Sequence, residues 1–327
     1  MQGTYLRVLH RLSTLDTLSA FHEHSHDQIP DYTKLIPRPL FIPVIAALVN
    51  CGYYPTSRSF EKDLLVMLAN CCVFCGVKSE FTDQALTLLK NLPSVMGEAG
   101  LESQFFPQYL LRPSHYLEDV SRMLQIVDSS EVLRFDAVLV QVANNTTFLP
   151  SPVLLQQQLQ GGIGVIESLR RLVLQGYFYS LDSFQCFLFF LFVKLAVLVD
   201  PVYLLHAYQF LHVTPFGRDD CKPSIKLFVD ALAKMDVQGF FSSPRLEDGT
   251  TVGRAGVSKK MDFLTMRWKC RLGMYNTIGD PRLAVQGDLE VMAEAASLAH
   301  KPDHPMNRSI YDIRRRMGEA WLACGYV

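Results

Sequence analysis

Four groupings in this chain carry residue types that could do chemistry. Cys72-x-x-Cys75, with Cys71 beside it, has the pair spacing of a zinc or redox site. A structural zinc needs two more ligands, which Cys51 or a histidine could supply only through folding. The flanking Val66, Met67, Leu68, Val73 and Phe74 favour a plainer reading, small thiols packed in a helix. His22-x-His24-x-His26 would put three imidazoles on one face of a strand. Glu23, Ser25, Asp27 and the following Pro30 instead mark a polar loop between helices. Asp219-Asp220 offers two carboxylates for magnesium, but adjacent residues do not share a direction, and the pair reads as a cap ahead of Pro223. Gly161-Gly162-Ile163-Gly164 would cradle a phosphate only after a strand, and the preceding 154–160 reads as helix. These readings lead to no metal site, no cofactor, no catalytic residues and no enzyme.

The densest charged feature is the stretch from Arg254 to Arg271. It holds Arg254, Lys259, Lys260, Arg267, Lys269 and Arg271 against one acid, Asp262, with Phe263 and Trp268 interleaved. Cations neutralise phosphates and aromatic faces stack on bases, so this segment is the leading candidate for RNA contact. Arg314, Arg315 and Arg316, near Trp321, form a second cluster. The alternative for both is a solvated helix face with the tryptophan turned inward.

Those residues must be positioned by helices. Ser151-Pro152, Asp200-Pro201 and Asp280-Pro281 each place a capping side chain before a proline that suits the first helical turn. Ser59 opens a helix that Gly76 ends, Pro39 opens one that Gly52 ends, Ser258 opens one that Gly273 ends, and Asn307 opens the last. Leu6, Leu9, Leu12 and Leu15 form one apolar stripe, and Phe228, Leu232 and Met235 another. Alternation at period two is rare. The expectation is an all-α fold with about fourteen helices, in one large helical domain or two lobes. No repeat of fixed short period is visible, which disfavours a solenoid. The Gly- and Ser-rich 240–257 predicts a flexible loop. It would separate an N-terminal helical domain, 1–239, from a C-terminal helical segment, 258–327, packed on the same core.

Composition bounds the remainder. The 327 residues are 49% hydrophobic and 19% charged, with net charge −1, so no global field recruits nucleic acid. Phe184–Val199 is the greasiest run, 16 residues broken by Gln185 and Lys194. A membrane span needs roughly 20 apolar residues, and a central lysine costs about 2.5–3.5 kcal/mol to insert. A buried core helix is expected there, and no membrane. Met1–Phe21 carries Arg7, His10 and Arg11 where a secretion signal would be apolar, so the 8 cysteines are expected reduced, in the cytoplasm.

Size, helix content, hydrophobicity, reduced cysteines and the single basic segment together resemble the α-helical coat and nucleocapsid proteins of small RNA viruses, in the style of partitivirus coats or borna-like nucleoproteins. That resemblance implies a self-assembling homo-oligomer enclosing RNA in a virion, without catalysis. The second expectation is a helical adaptor or scaffold that binds another protein. The third is a helical enzyme acting on a hydrophobic, isoprenoid-like substrate.

Overall fold

The structure is a computed structural model. It describes residues 1–22, 32–76, 79–103, 221–244, 246, 261–276 and 280–324, with scattered positions between 125 and 216. The described residues contain nine α-helices, one 3-10 turn and no strand, so the all-α expectation holds for them.

Helix α1 spans Gln2–Leu15 and buries Tyr5, Val8, Leu9 and Leu12, a stripe at helical spacing. The expected leucine stripe is displaced by one position, because Leu6 and Leu15 sit at its margins. Short α2 spans Tyr32–Leu35. Helix α3, Ile42–Asn50, is buried from Ile42 through Val49, since it packs against α1 and against the later helix Phe263–Arg271. Helix α4, Ser57–Cys75, begins three residues earlier than the sequence predicts. Thr56 is its cap, its hydroxyl accepting from the Ser59 amide. Gly76 ends it at φ 76°, a conformation that favours glycine. Helix α5, Glu80–Glu98, is capped by Ser79 and packs on α4 and α1.

The second half uses the same order. Helix α6, Pro223–Met235, packs on α7, Phe263–Arg271. Asp262 caps α7 by accepting from the Thr265 amide, where the sequence suggested Ser258. The 3-10 turn Met274–Asn276 leads to α8, Pro281–Ala299, capped by Asp280 as expected. Helix α9, Pro305–Ala323, is capped by His304 instead of Asn307; the Asn307 side chain donates back to the His300 and Lys301 carbonyls.

The two halves are copies of one arrangement. The pairings α1 with α3, α1 with α5 and α4 with α5 recur as α6 with α7, α6 with α9 and α8 with α9. After α1 the buried Asp16 carboxylate accepts from the Ala20 and Phe21 amides. After α6 the buried Asp236 accepts from Phe240 and Phe241. The Phe21 carbonyl then receives the Ile42 amide at 3.0 Å, and the Phe241 carbonyl the Phe263 amide at 2.8 Å. Gly52 and Gly273 close α3 and α7 at φ 71° and 68°. Tyr54 donates to the buried Asp63 of α4, and Tyr275 to the buried Asp288 of α8. A single duplication separated by more than 200 residues has no short period, which is why no repeat was expected.

Each copy has its own hydrophobic core. The copies meet where equivalent helices α3 and α7 pack together. There the Asn50 amide donates to the Thr265 hydroxyl, Cys51 Sγ to the Thr265 carbonyl, and Trp268 of α7 is buried in the first core. The loop expected to divide the chain at 240–257 therefore falls inside the second copy, between α6 and α7. The C-terminal segment is packed mainly on a core of its own. Within 184–199, the described Phe184, Phe187, Leu188, Phe189, Leu191 and Phe192 are buried in the first core. Among the described residues no helix is long and apolar enough to cross a membrane.

Candidate functional site

The last turn of α4 and the short α2 form the most chemically varied corner of the first copy. Tyr32 lies with its ring edge-on to Phe74, centroids 4.8 Å apart, and 5.6 Å from Phe41. Burial first, and the Cys71 and Cys75 thiols second, push its ionisation up. The Asn70 amide donates to the Arg38 carbonyl at 2.8 Å and so ties the chain after α2 to α4.

Two further contacts fix that chain. Arg38 Nε and Nη2 donate to Asp63 at 3.0 and 2.7 Å, a two-point pairing of buried charges. The guanidinium also lies 3.9 Å from the Phe216 ring centre. Burial and the Asp63 charge push the Tyr54 hydroxyl well up, so Tyr54 stays a neutral donor to that carboxylate. Asp63 is therefore committed to structure. What the corner holds is Tyr32 and Phe41, both buried, the half-buried Phe74, the buried Asn70, and the Cys71 and Cys75 thiols near Tyr32. Cys75 is exposed and Cys72 turns into the core.

In the second copy the corresponding corner lies at the end of α8. Asp63 corresponds to Asp288 and the start of α5 to the start of α9, so the position of Cys75 is taken by His300. His300 stacks on His304 with ring centres 4.0 Å apart and planes 9° apart. His304 Nδ1 accepts from the Met306 amide.

Residues 5–87 match the family model of the bromodomain. The match runs from α1 into α5 and takes in the whole corner around Tyr32. A solved bromodomain from Leishmania donovani, complexed with bromosporine, is 28% identical and is covered over 87% of its length by 31% of this chain, with a TM-score of 0.30.

The bromodomain match overturns the resemblance to viral coat and nucleocapsid proteins, and with it the expected virion, the enclosed RNA and the self-assembling shell. The basic residues chosen for RNA have other partners. Arg267 pairs with Asp230 at 2.8 Å and Lys269 with Asp288 at 2.6 Å. Arg271 lies 5.0 Å from the ring centres of both Phe216 and Trp268. Arg314 faces Glu290, Arg315 and Arg316 face Asp312, and Arg316 also faces Glu319. Phe263 and Trp268 are buried and present no face for a base. Arg254, Lys259 and Lys260 lie outside the described residues, as do His24, His26, Asp219, Asp220 and the glycine run at 161–164. Among the described residues no group of three His, Cys, Asp or Glu side chains is arranged to hold a metal.

Sequence reasoning missed Asp16, Arg38, Asn70 and Tyr32. One signal was available: Leu-Asp-Thr-Leu-Ser-Ala-Phe at 15–21 and Met-Asp-Val-Gln-Gly-Phe-Phe at 235–241 share an aspartate after an apolar helix end and a phenylalanine five residues later.

Proposed function

We propose that residues 5–87 are the heart of a protein-interaction module that reads an acetylated lysine on a partner protein, as bromodomains do, without catalysis. The observation that carries this is the bromodomain match over those residues. The chemistry of the corner agrees. Acetylation removes the lysine charge and leaves an apolar stem ending in an amide. Such a group wants aromatic walls and a neutral polar partner, and Tyr32, Phe41, Phe74 and Asn70 offer both, while Asp63 is held by Arg38. This is the adaptor expectation with its ligand named. A reducing, intracellular compartment suits the free thiols.

The copied helix order in 223–323 supports extending the reading to that half, with imidazoles in place of thiols.

The test is an array of peptides carrying lysine or acetyl-lysine, probed with the full chain. Retention on acetylated spots, lost in Tyr32→Ala and in Phe74→Ala, is the expected result. Equal retention on unmodified spots would refute the reading.

A further inference from the structure

Phe216 stands where the two copies touch. Its ring centre lies 3.9 Å from the guanidinium carbon of Arg38 in the first copy and 5.0 Å from that of Arg271 in the second. Trp268, also of the second copy, meets the same ring at 4.5 Å and 59°. Trp268 is itself buried in the first core, so its indole is a packed wall. A guanidinium is drawn to an aromatic face most strongly when water is excluded, and Arg38 is only 7% exposed.

Arg38 is also the point at which α4 grips the chain between α2 and α3. Asp63 accepts from its side chain twice, and Asn70 donates to its carbonyl. Tyr32, at the start of α2, and Phe41, just before α3, flank Arg38 along the chain, and their rings lie 5.6 Å apart. The second copy shows that the shared helix order does not require this grip. There the Asp288 carboxylate accepts from Lys269 of α7 and from Tyr275 of the turn that follows it. Counting from Asp288 as Asn70 is counted from Asp63, the residue in the place of Asn70 is Ala295, whose side chain has nothing to donate. Among the described residues the grip on this segment belongs to the first copy alone.

We propose that the second copy is part of the first copy's ligand site: Trp268 and Arg271 hold Phe216 against Arg38, and this clamp fixes the segment carrying Tyr32 and Phe41 for an acetylated lysine. Phe216 is a positioning residue that acts through Arg38. The effect is pre-organisation: a wall already held in its bound position loses less binding energy to ordering. The affinity consequence rests on the proposed acetyl-lysine reading; the clamp on the segment does not.

The test takes two measurements on the full chain: affinity for a peptide acetylated at one lysine, by calorimetric titration, and amide hydrogen exchange across residues 32–41. Phe216→Leu keeps an apolar side chain and removes the ring face. It should weaken the peptide about three- to tenfold and speed exchange in 32–41, with unfolding still cooperative. Phe216→Tyr restores a ring and should recover both. Arg271→Met alters only the second copy and should move both readings in the same direction as Phe216→Leu. A loss of global stability alone would leave the affinity unchanged while nearly all molecules stay folded. Wild-type readings in Phe216→Leu, or no effect of Arg271→Met, would overturn the inter-copy clamp. Faster exchange with unchanged affinity would overturn its part in the ligand site. Weaker binding with unchanged exchange would overturn the positioning role. If the wild-type chain binds no acetylated peptide, the reader proposal fails, and exchange across 32–41 in the variants decides the clamp by itself.

Discussion

Asp16 and Asp236 make the same pair of hydrogen bonds at the ends of two helices that occupy equivalent places in the two copies. Each carboxylate, buried behind its helix, gathers the backbone amides four and five residues ahead and turns the chain toward the next core phenylalanine. The turn then receives the first amide of α3 in one copy and of α7 in the other. A carboxylate here acts as a template for backbone, so its contribution to stability runs through the amides that would otherwise be buried without acceptors.

Asp16→Ala and Asp236→Ala should each destabilise the protein by about 1–3 kcal/mol, the cost of stranding buried amides. Denaturant unfolding measures this. An unchanged midpoint in either variant would show that the turn holds without its carboxylate.

The Arg38–Asp63 pair should behave as a buried ion pair. Removing one partner strands the other charge, so Arg38→Met is expected to cost about 3–5 kcal/mol. Replacing both, in Arg38→Met with Asp63→Leu, should recover part of the loss. A double variant no better than the single one would mean that the Tyr54 bond and the Phe216 stack carry the effect. Lys269→Met should behave likewise against Asp288.

Asp262 gives the fold a pH dependence. Burial raises its pKa to about 6, against an unfolded value near 3.9. The folded state therefore holds a proton that the unfolded state has released between those values. Stability should fall as pH rises from about 4 to 6, by on the order of 3 kcal/mol from this group, and level above. Urea midpoints across that range in wild type and Asp262→Asn check the sign. The variant should lack this component, and an identical slope in both would assign it elsewhere.

Helix caps were legible where a short polar side chain preceded proline, as at Asp280-Pro281, because that signal is local. They were misread at Ser258 and Asn307, where tertiary packing chose Asp262 and His304 one turn away. The basic stretch misled for a related reason. Counting charge along 254–271 ignores Asp230 and Asp288, which arrive from α6 and α8 to pair with Arg267 and Lys269. The corner around Tyr32 was invisible because its members are spread from α2 to α4 and none is chemically unusual alone. The duplication escaped because its copies share buried geometry, such as Tyr54–Asp63 and Tyr275–Asp288, more than residue identity.

The most direct test of the central claim is calorimetric titration of the full chain with one peptide in two forms, acetylated and unmodified at a single lysine. The account predicts saturable heat with the acetylated form, none with the unmodified form, and its loss in Tyr32→Ala with unfolding still cooperative. Equal heats for the two peptides, or none for either from correctly folded protein, would contradict it.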